Sequence, residues 1–145
     1  MAVTITVLCD NTAGMGDYLA EWGLCLLVET DATSVLYDCG ASITAVHNAD
    51  TLGIDLSGIE RIVLSHGHFD HTGGLRDVLA RMHHGVEVIA HPDVWGAKYV
   101  RRLGRPERYI GIPHVPEVLE TAGAEFHLSR EPVALSDDVS TTGEV

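Results

Sequence analysis

The sequence predicts an α/β fold, on three observations. Strand-like runs of β-branched and apolar residues fill much of the first forty positions, helix-period and strand-period segments alternate after them, and 46% of the 145 residues are hydrophobic. That length and apolar share suffice for one domain, residues 1–145, with a real core. Residues 2–9 alternate threonine with β-branched residues and carry no basic side chain, so they read as a strand and not a signal peptide. Residues 24–30 and 33–38 read as a hairpin joined by the Asp31-Ala32 turn. A helix over about 42–52 and a buried strand within 59–65 follow. Leu75, Val78, Leu79 and Met82 recur at helical spacing behind Gly73 and Gly74, with Thr72 or Asp70 placed to cap the start. A strand over 86–90 and a helix over about 92–102 continue the alternation. Residues 103–113, with Gly104, Pro106, Gly111 and Pro113, read as an irregular surface connection. A short helix over 116–122 and brief strands near 125–128 and 133–135 end the chain.

Nine basic residues against twenty-one acidic give a formal charge of −12. Such a surface repels phosphates and argues against nucleic acid as a non-specific partner, leaving a small-molecule substrate as the expected partner. Cys9, Cys25 and Cys39 are odd in number and have no Cys-x-x-Cys spacing, so neither a disulfide framework nor a zinc ribbon is indicated. Reduced, buried thiols in a cytoplasmic protein are expected. No apolar run approaches the length of a membrane span, so no membrane partner is expected.

The chemistry is concentrated in Ser65-His66-Gly67-His68-Phe69-Asp70-His71, at a strand-to-helix junction. Three imidazoles and a carboxylate in the pattern His-x-His-x-Asp-His would arise by chance on the order of a few times in a thousand such chains. Alternation along an extended stretch lets His66, His68 and Asp70 project from one side while His71 turns with the entering helix. The four side chains form a candidate metal site. Imidazole with carboxylate suits Zn²⁺, with Fe²⁺ or Mn²⁺ as alternatives. Asp70 has a second candidacy as the catalytic group that orients an attacking water. His83 and His84 fall at a helix end, where a surface role is expected, and His47, His91, His114 and His127 are isolated. Asp38, before Cys39-Gly40, reads from its neighbours as a turn carboxylate capping the next helix.

These residues resemble the metallo-β-lactamase fold superfamily of metal-dependent hydrolases, whose signature is the His66-x-His68-x-Asp70-His71 motif. Asp10-Asn11, Glu21-Trp22-Gly23-Leu24, Leu36-Tyr37-Asp38-Cys39-Gly40, Asn48-Ala49 and Leu52-Gly53-Ile54-Asp55 occur in an order similar to one branch. That branch is the 7,8-dihydropterin-6-methyl-4-(β-D-ribofuranosyl)aminobenzene-5′-phosphate synthase-like group. The resemblance implies an αββα sandwich whose N-terminal half, a mixed sheet flanked by helices, is represented here. It further implies up to two divalent metals, zinc foremost. The first is held by His66 and His68 and the second by Asp70 and His71, each with further ligands from the family's C-terminal half. Asp38 resembles a family aspartate that lies near the metals and hydrogen-bonds a ligand histidine. The implied activity is hydrolysis by metal-bound hydroxide, or in the pterin branch a condensing transfer. His68, where the flavodiiron redox branch has glutamate, favours hydrolysis.

Nothing in the sequence matches the later ligands, so the domain is expected to be truncated at its C-terminus. Two donors per metal leave an open site, and half a sandwich leaves an apolar sheet face. The expectation is a homo-oligomer or a complementary chain. The alternative is a non-catalytic half-domain, or a metal-binding subunit that needs another chain to complete the site.

Overall fold

The structure, a computed structural model, describes residues 2–82 and 85–145. The surface role expected for His83 and His84 therefore lies outside the described residues. A mixed six-stranded sheet organises the chain. Strands β1 (Val3–Cys9), β2 (Cys25–Thr30) and β3 (Ser34–Tyr37) pair antiparallel; β4 (Arg61–Val63), β5 (Val86–Ala90) and β8 (Ala124–Leu128) extend the sheet in parallel from β3. Helices α1 (Thr44–Leu52), α2 (Phe69–Thr72), α3 (Leu75–Met82) and α4 (Pro116–Thr121) make the connections. A short turn joins β2 to β3 and the longer segment 10–24 joins β1 to β2, whereas β3 to β4 and β4 to β5 need the helical crossovers that parallel pairing requires.

One sheet face is sealed. Leu27, Leu36, Ile62 and Val88 stand in register across β2 to β5, each at most 2% exposed, and pack with Ala45, Val78, Leu79 and Leu119. The opposite face is covered unevenly. Val133, Leu135 and Val139 fold back over Val35, Val63 and Ile89, while Val3, Ile5 and Val7 on the edge strand stay more than half exposed. Ile5 pairs with Val28 and Val28 with Val35, so the exposed row continues the same face.

Several sequence expectations give way to tertiary pairing. The helix expected over 92–102 is a single 3-10 turn, Pro92–Trp95, followed by β6 (Tyr99–Val100). Inside the supposedly irregular 103–113 lies β7 (Arg108–Tyr109), which pairs antiparallel with β6. The strand within 59–65 shortens to Arg61–Val63, and 133–135 contributes only an isolated bridge, Ala134 to Ser140. Thr72 does not cap a helix start; its Oγ1 donates to the carbonyl of His68 four residues back.

Gly73 and Gly74 bring the motif helix against the backbone after β3. A Cβ on Gly73 would lie 2.1 Å from the carbonyl oxygen of Ala41, and one on Gly74 2.1 Å from that of Cys39. Backbone cannot rotate away as a side chain can. Gly73→Ala is therefore expected to destabilise the chain by about 3 kcal/mol or more, read as a lower urea midpoint at unchanged slope.

Candidate metal centre

β4 delivers the motif and α2 turns it. After Val63 the chain bends at Ser65 and is extended at His68 (φ −81°, ψ 150°), and α2 then carries Asp70 and His71. Neighbouring backbone holds this path from three sides. The carbonyl of Asp70 accepts from Leu24 N (3.3 Å), the carbonyl of His71 accepts from Cys39 N (2.8 Å), and Phe69 N donates to the carbonyl of Ile110 (3.0 Å). Gly67 admits no side chain, because a Cβ there would fall 2.0 Å from the carbonyl oxygen of Val94.

All four motif side chains meet, arranged as two donor pairs. His66 Nε2 stands 2.9 Å from His68 Nδ1, and His71 Nε2 stands 3.6 Å from Asp70 Oδ2. The His66 and His71 rings connect the pairs, with centroids 4.2 Å apart. Two nitrogen ligands of one tetrahedral zinc ion lie about 3.3 Å apart, given bond lengths near 2.0–2.1 Å. The pairs therefore suit a divalent ion in donor type and spacing. They fall short in number: among the described residues, no group of three or more His, Cys, Asp or Glu side chains is arranged to hold a metal ion.

Asp38 lies beneath both pairs. Its residue is fully buried and its backbone is left-handed at φ 58°. The carboxylate accepts from Ser65 N (2.8 Å), Ser65 Oγ (2.7 Å) and His71 Nδ1 (2.7 Å). It does not cap α1, whose N-cap residue is Ile43 and which has no side-chain cap. Proton counting then fixes both imidazoles. The single Ser65 hydroxyl proton goes to Asp38, so the 2.9 Å contact between Ser65 Oγ and His66 Nδ1 has the imidazole N–H donating. His71 Nδ1 likewise donates to Asp38. Each ring thus carries its proton on Nδ1 and an unprotonated Nε2, the form a metal ligand requires, and the His66 Nε2 lone pair accepts from His68 Nδ1 across the 2.9 Å contact.

The electrostatics differ between the two rings. Burial, with His71 and His68 nearby, holds the His66 pKa below the ordinary imidazole value. The hydrogen bond to Asp38 raises that of His71. Cys39 follows Asp38 but offers no ligand: burial keeps its thiol protonated well above the usual range, and pushes that of Cys9 up to about 12. All three cysteines are free and buried.

The remaining described histidines are engaged elsewhere or stand apart. His47 Nε2 meets the carbonyl of Asp17 at 2.9 Å, His127 Nδ1 meets Glu87 at 2.9 Å, and His91 accepts from Asp93 N and faces Arg130. His114 is half-buried with no hydrogen-bond or ion-pair partner among the described residues. Two contributors escaped the sequence reading of single residues. Ser65 carries the link between Asp38 and His66, and its only signal is a hydroxyl directly before the first motif histidine. Trp22, 71% exposed, shares a cleft with Asp10, Asn11, Leu24, Asp70 and His71. A large aromatic in a segment rich in turn residues was its signal.

A family model described as the metallo-beta-lactamase superfamily matches residues 23–141. An uncharacterized protein of Methanocaldococcus jannaschii is 32% identical over 97% of this chain and 53% of its own length. The 7,8-dihydropterin-6-methyl-4-(beta-D-ribofuranosyl)-aminobenzene-5'-phosphate synthase of the same organism is 28% identical over 99% of this chain and 51% of its own. Among solved structures, Tm1679, described as a metal-dependent hydrolase of the beta-lactamase superfamily, superposes with a TM-score of 0.70. It is 29% identical and the match covers 94% of this chain and 46% of that one. The chain spans about half the length of these relatives.

Proposed function

Since the chain belongs to the metallo-beta-lactamase superfamily, we propose that it is the metal-binding portion of a metal-dependent hydrolase acting on a small-molecule substrate. The observation that carries this reading is the pairing of His66 Nε2 with His68 Nδ1 and of His71 Nε2 with Asp70 Oδ2 above a common buried carboxylate. His66 and His68 would hold one divalent ion, zinc by preference, and Asp70 and His71 a second. Such an ion, when bound, lowers the pKa of a water to about 7 and polarises the bond to be cleaved. Asp38 and Ser65 keep both Nε2 atoms unprotonated and aimed. Asp70 accepts a hydrogen bond from the attacking water on its free carboxylate oxygen and so orients it. The loop carrying Trp22 forms one wall of the substrate cleft and limits solvent there. Three buried thiols fit a reducing cytoplasm.

Each donor pair needs further ligands, and the exposed row of Val3, Ile5 and Val7 needs cover. A second copy, a complementary chain or the part of the relatives' length that this chain does not span would supply both. Similarity to the pterin phosphate synthase over 99% of the chain favours a condensing transfer as the second reading of the same centre.

Native mass spectrometry of the 145-residue chain after zinc loading tests this reading. One or two metals per chain, in an oligomer, would support it and direct a screen of ester, lactone and phosphodiester hydrolysis. A metal-free species under those conditions would overturn it. Trp22→Ala is expected to raise KM by about two- to tenfold for a substrate with an aromatic group while leaving metal content unchanged, since one aromatic contact is worth roughly 0.5–1.5 kcal/mol. Steady-state kinetics beside metal analysis would check this.

A further inference from the structure

The positive charge of this acidic protein is gathered in one place. Of nine basic residues, Lys98, Arg101, Arg102, Arg105 and Arg108 fall within residues 98–108, against a single carboxylate, Glu107. This is the β6–β7 ribbon. Tyr99 and Tyr109 pair across it with ring centroids 5.5 Å apart, and Arg101 Nε meets Glu107 Oε1 at 2.7 Å to close it nearer the tip. Gly104 turns the tip at φ 74°.

The ribbon is fastened to the motif. Ile110, just after β7, accepts the hydrogen bond of Phe69, which stands between His68 and Asp70 in the sequence. The Arg108 guanidinium lies over the Phe69 ring, 5.6 Å from its centroid. Lys98, on the other arm, donates to the carbonyls of Val94 and Gly96 and sits close to Gly67.

Arg102 and Arg105 line a concavity with Val100, Pro106, Arg108 and Glu107, the carboxylate of which is paired with Arg101. Neither has a hydrogen-bond or ion-pair partner for its side chain among the described residues. In a chain with twenty-one acidic residues that pattern calls for a reason. Elsewhere Arg61 is matched by Glu87, Arg81 by Asp50, and Arg130 by Asp93 and Glu144. Arg76 on α3 stands alone among the described residues, so what sets the ribbon apart is two unpaired guanidinium groups sharing one concavity. Unpaired guanidinium forks lining one concavity fit an oxyanion that accepts two parallel hydrogen bonds from each.

We propose that the β6–β7 ribbon is the binding arm for the phosphate monoester of a small-molecule substrate, held by Arg102, Arg105 and Arg108 beside the motif helix. This deepens the hydrolase reading above and rests on it for the chemistry that follows binding. The acidic surface around the ribbon disfavours a long polyanion such as RNA, whereas one phosphate can be bound locally. The same field contrast draws an anion to the ribbon and away from the rest of the surface.

The test uses the intact chain treated with EDTA and phenyl phosphate as probe, followed by amide chemical shifts in NMR titration. Shifts concentrated in residues 98–110 are expected. Arg102→Glu/Arg105→Glu should weaken binding by about tenfold or more, and Arg102→Lys/Arg105→Lys by less, because lysine keeps charge but loses the fork. Raising salt from about 50 to 500 mM should weaken wild-type binding. No binding by the wild type, equal binding by the charge-reversed variant, or tighter binding of a single-stranded RNA oligomer than of phenyl phosphate would each overturn the proposal. Zinc content and phenyl phosphate affinity of the wild-type chain, measured side by side, separate the two readings. Zinc bound with no phosphate affinity would remove the ribbon alone, and phosphate affinity without zinc would remove the metal centre alone.

Discussion

With His66 and His68 both replaced by alanine, the protein is expected to lose the metal at that pair and all hydrolysis that depends on it. The size of the effect follows from how few donors there are. The pair offers two imidazole nitrogens 2.9 Å apart, so the double variant has no donor left at that position. Removing one ligand already costs much of a site's affinity, and removing both should lower bound metal by one ion per chain in native mass spectrometry. Folding should survive, because both rings are half-buried and neither belongs to the sealed core. Metal-free stability within about 1 kcal/mol of wild type would separate ligand loss from unfolding. His127→Ala serves as control, since that ring pairs with Glu87 outside the motif. Wild-type metal content in the double variant would sink the assignment of His66 and His68.

What the sequence reveals of this protein depends on how far apart the interacting residues lie. The strand over 86–90 was legible to the residue because Val86, Val88 and Ile89 form a short apolar run bounded by Gly85 and His91. The four motif residues were legible as a group because they fall within six positions. The helix expected from Pro92 failed for the converse reason. Pro92 does open a helical turn, but Gly96 ends it, and Tyr99 and Val100 then find partners in Tyr109 and Arg108, inside a stretch whose glycines and prolines read locally as loop. Asp38 shows the same limit at the site. Its neighbours suggest a turn carboxylate, whereas its partners lie 27 and 33 residues away. Only a resemblance could place it near the motif from sequence. The segment after residue 128 read only as a brief strand near 133–135, which reduces to an isolated bridge, yet Val133, Leu135 and Val139 cover part of the sheet face left open by the helices. That cover is apolar contact pinned by one isolated bridge, Ala134 to Ser140, too short to leave a period in the sequence.

Asp38 should be the most costly single polar residue in the chain to replace. Its carboxylate is fully buried and satisfies three donors, so Asp38→Ala strands Ser65 N, Ser65 Oγ and His71 Nδ1 and forces alanine into a left-handed backbone. A loss of about 3–5 kcal/mol is expected, measured by urea unfolding of the metal-free protein. Such a loss could mask any effect on metal, which makes Asp38→Asn the more informative variant. Asparagine tolerates the left-handed backbone and keeps one acceptor oxygen, but its NH2 must face Ser65 or His71, both of which donate. One imidazole then loses the partner that holds its proton on Nδ1, and metal affinity is expected to fall about 10- to 100-fold in a folded chain. Ser65→Ala separates the two arms. It cuts the link from Asp38 to His66 while leaving the 2.7 Å contact between Asp38 and His71 in place. Weakened metal binding at His66 and His68, with the Asp70 and His71 pair unaffected, would make Asp38 the group that sets both tautomers through separate contacts. Equal loss at both pairs in the Ser65→Ala protein would mean that the two halves of the centre move as one unit, and that the buried carboxylate acts by holding the backbone and not by orienting each ring.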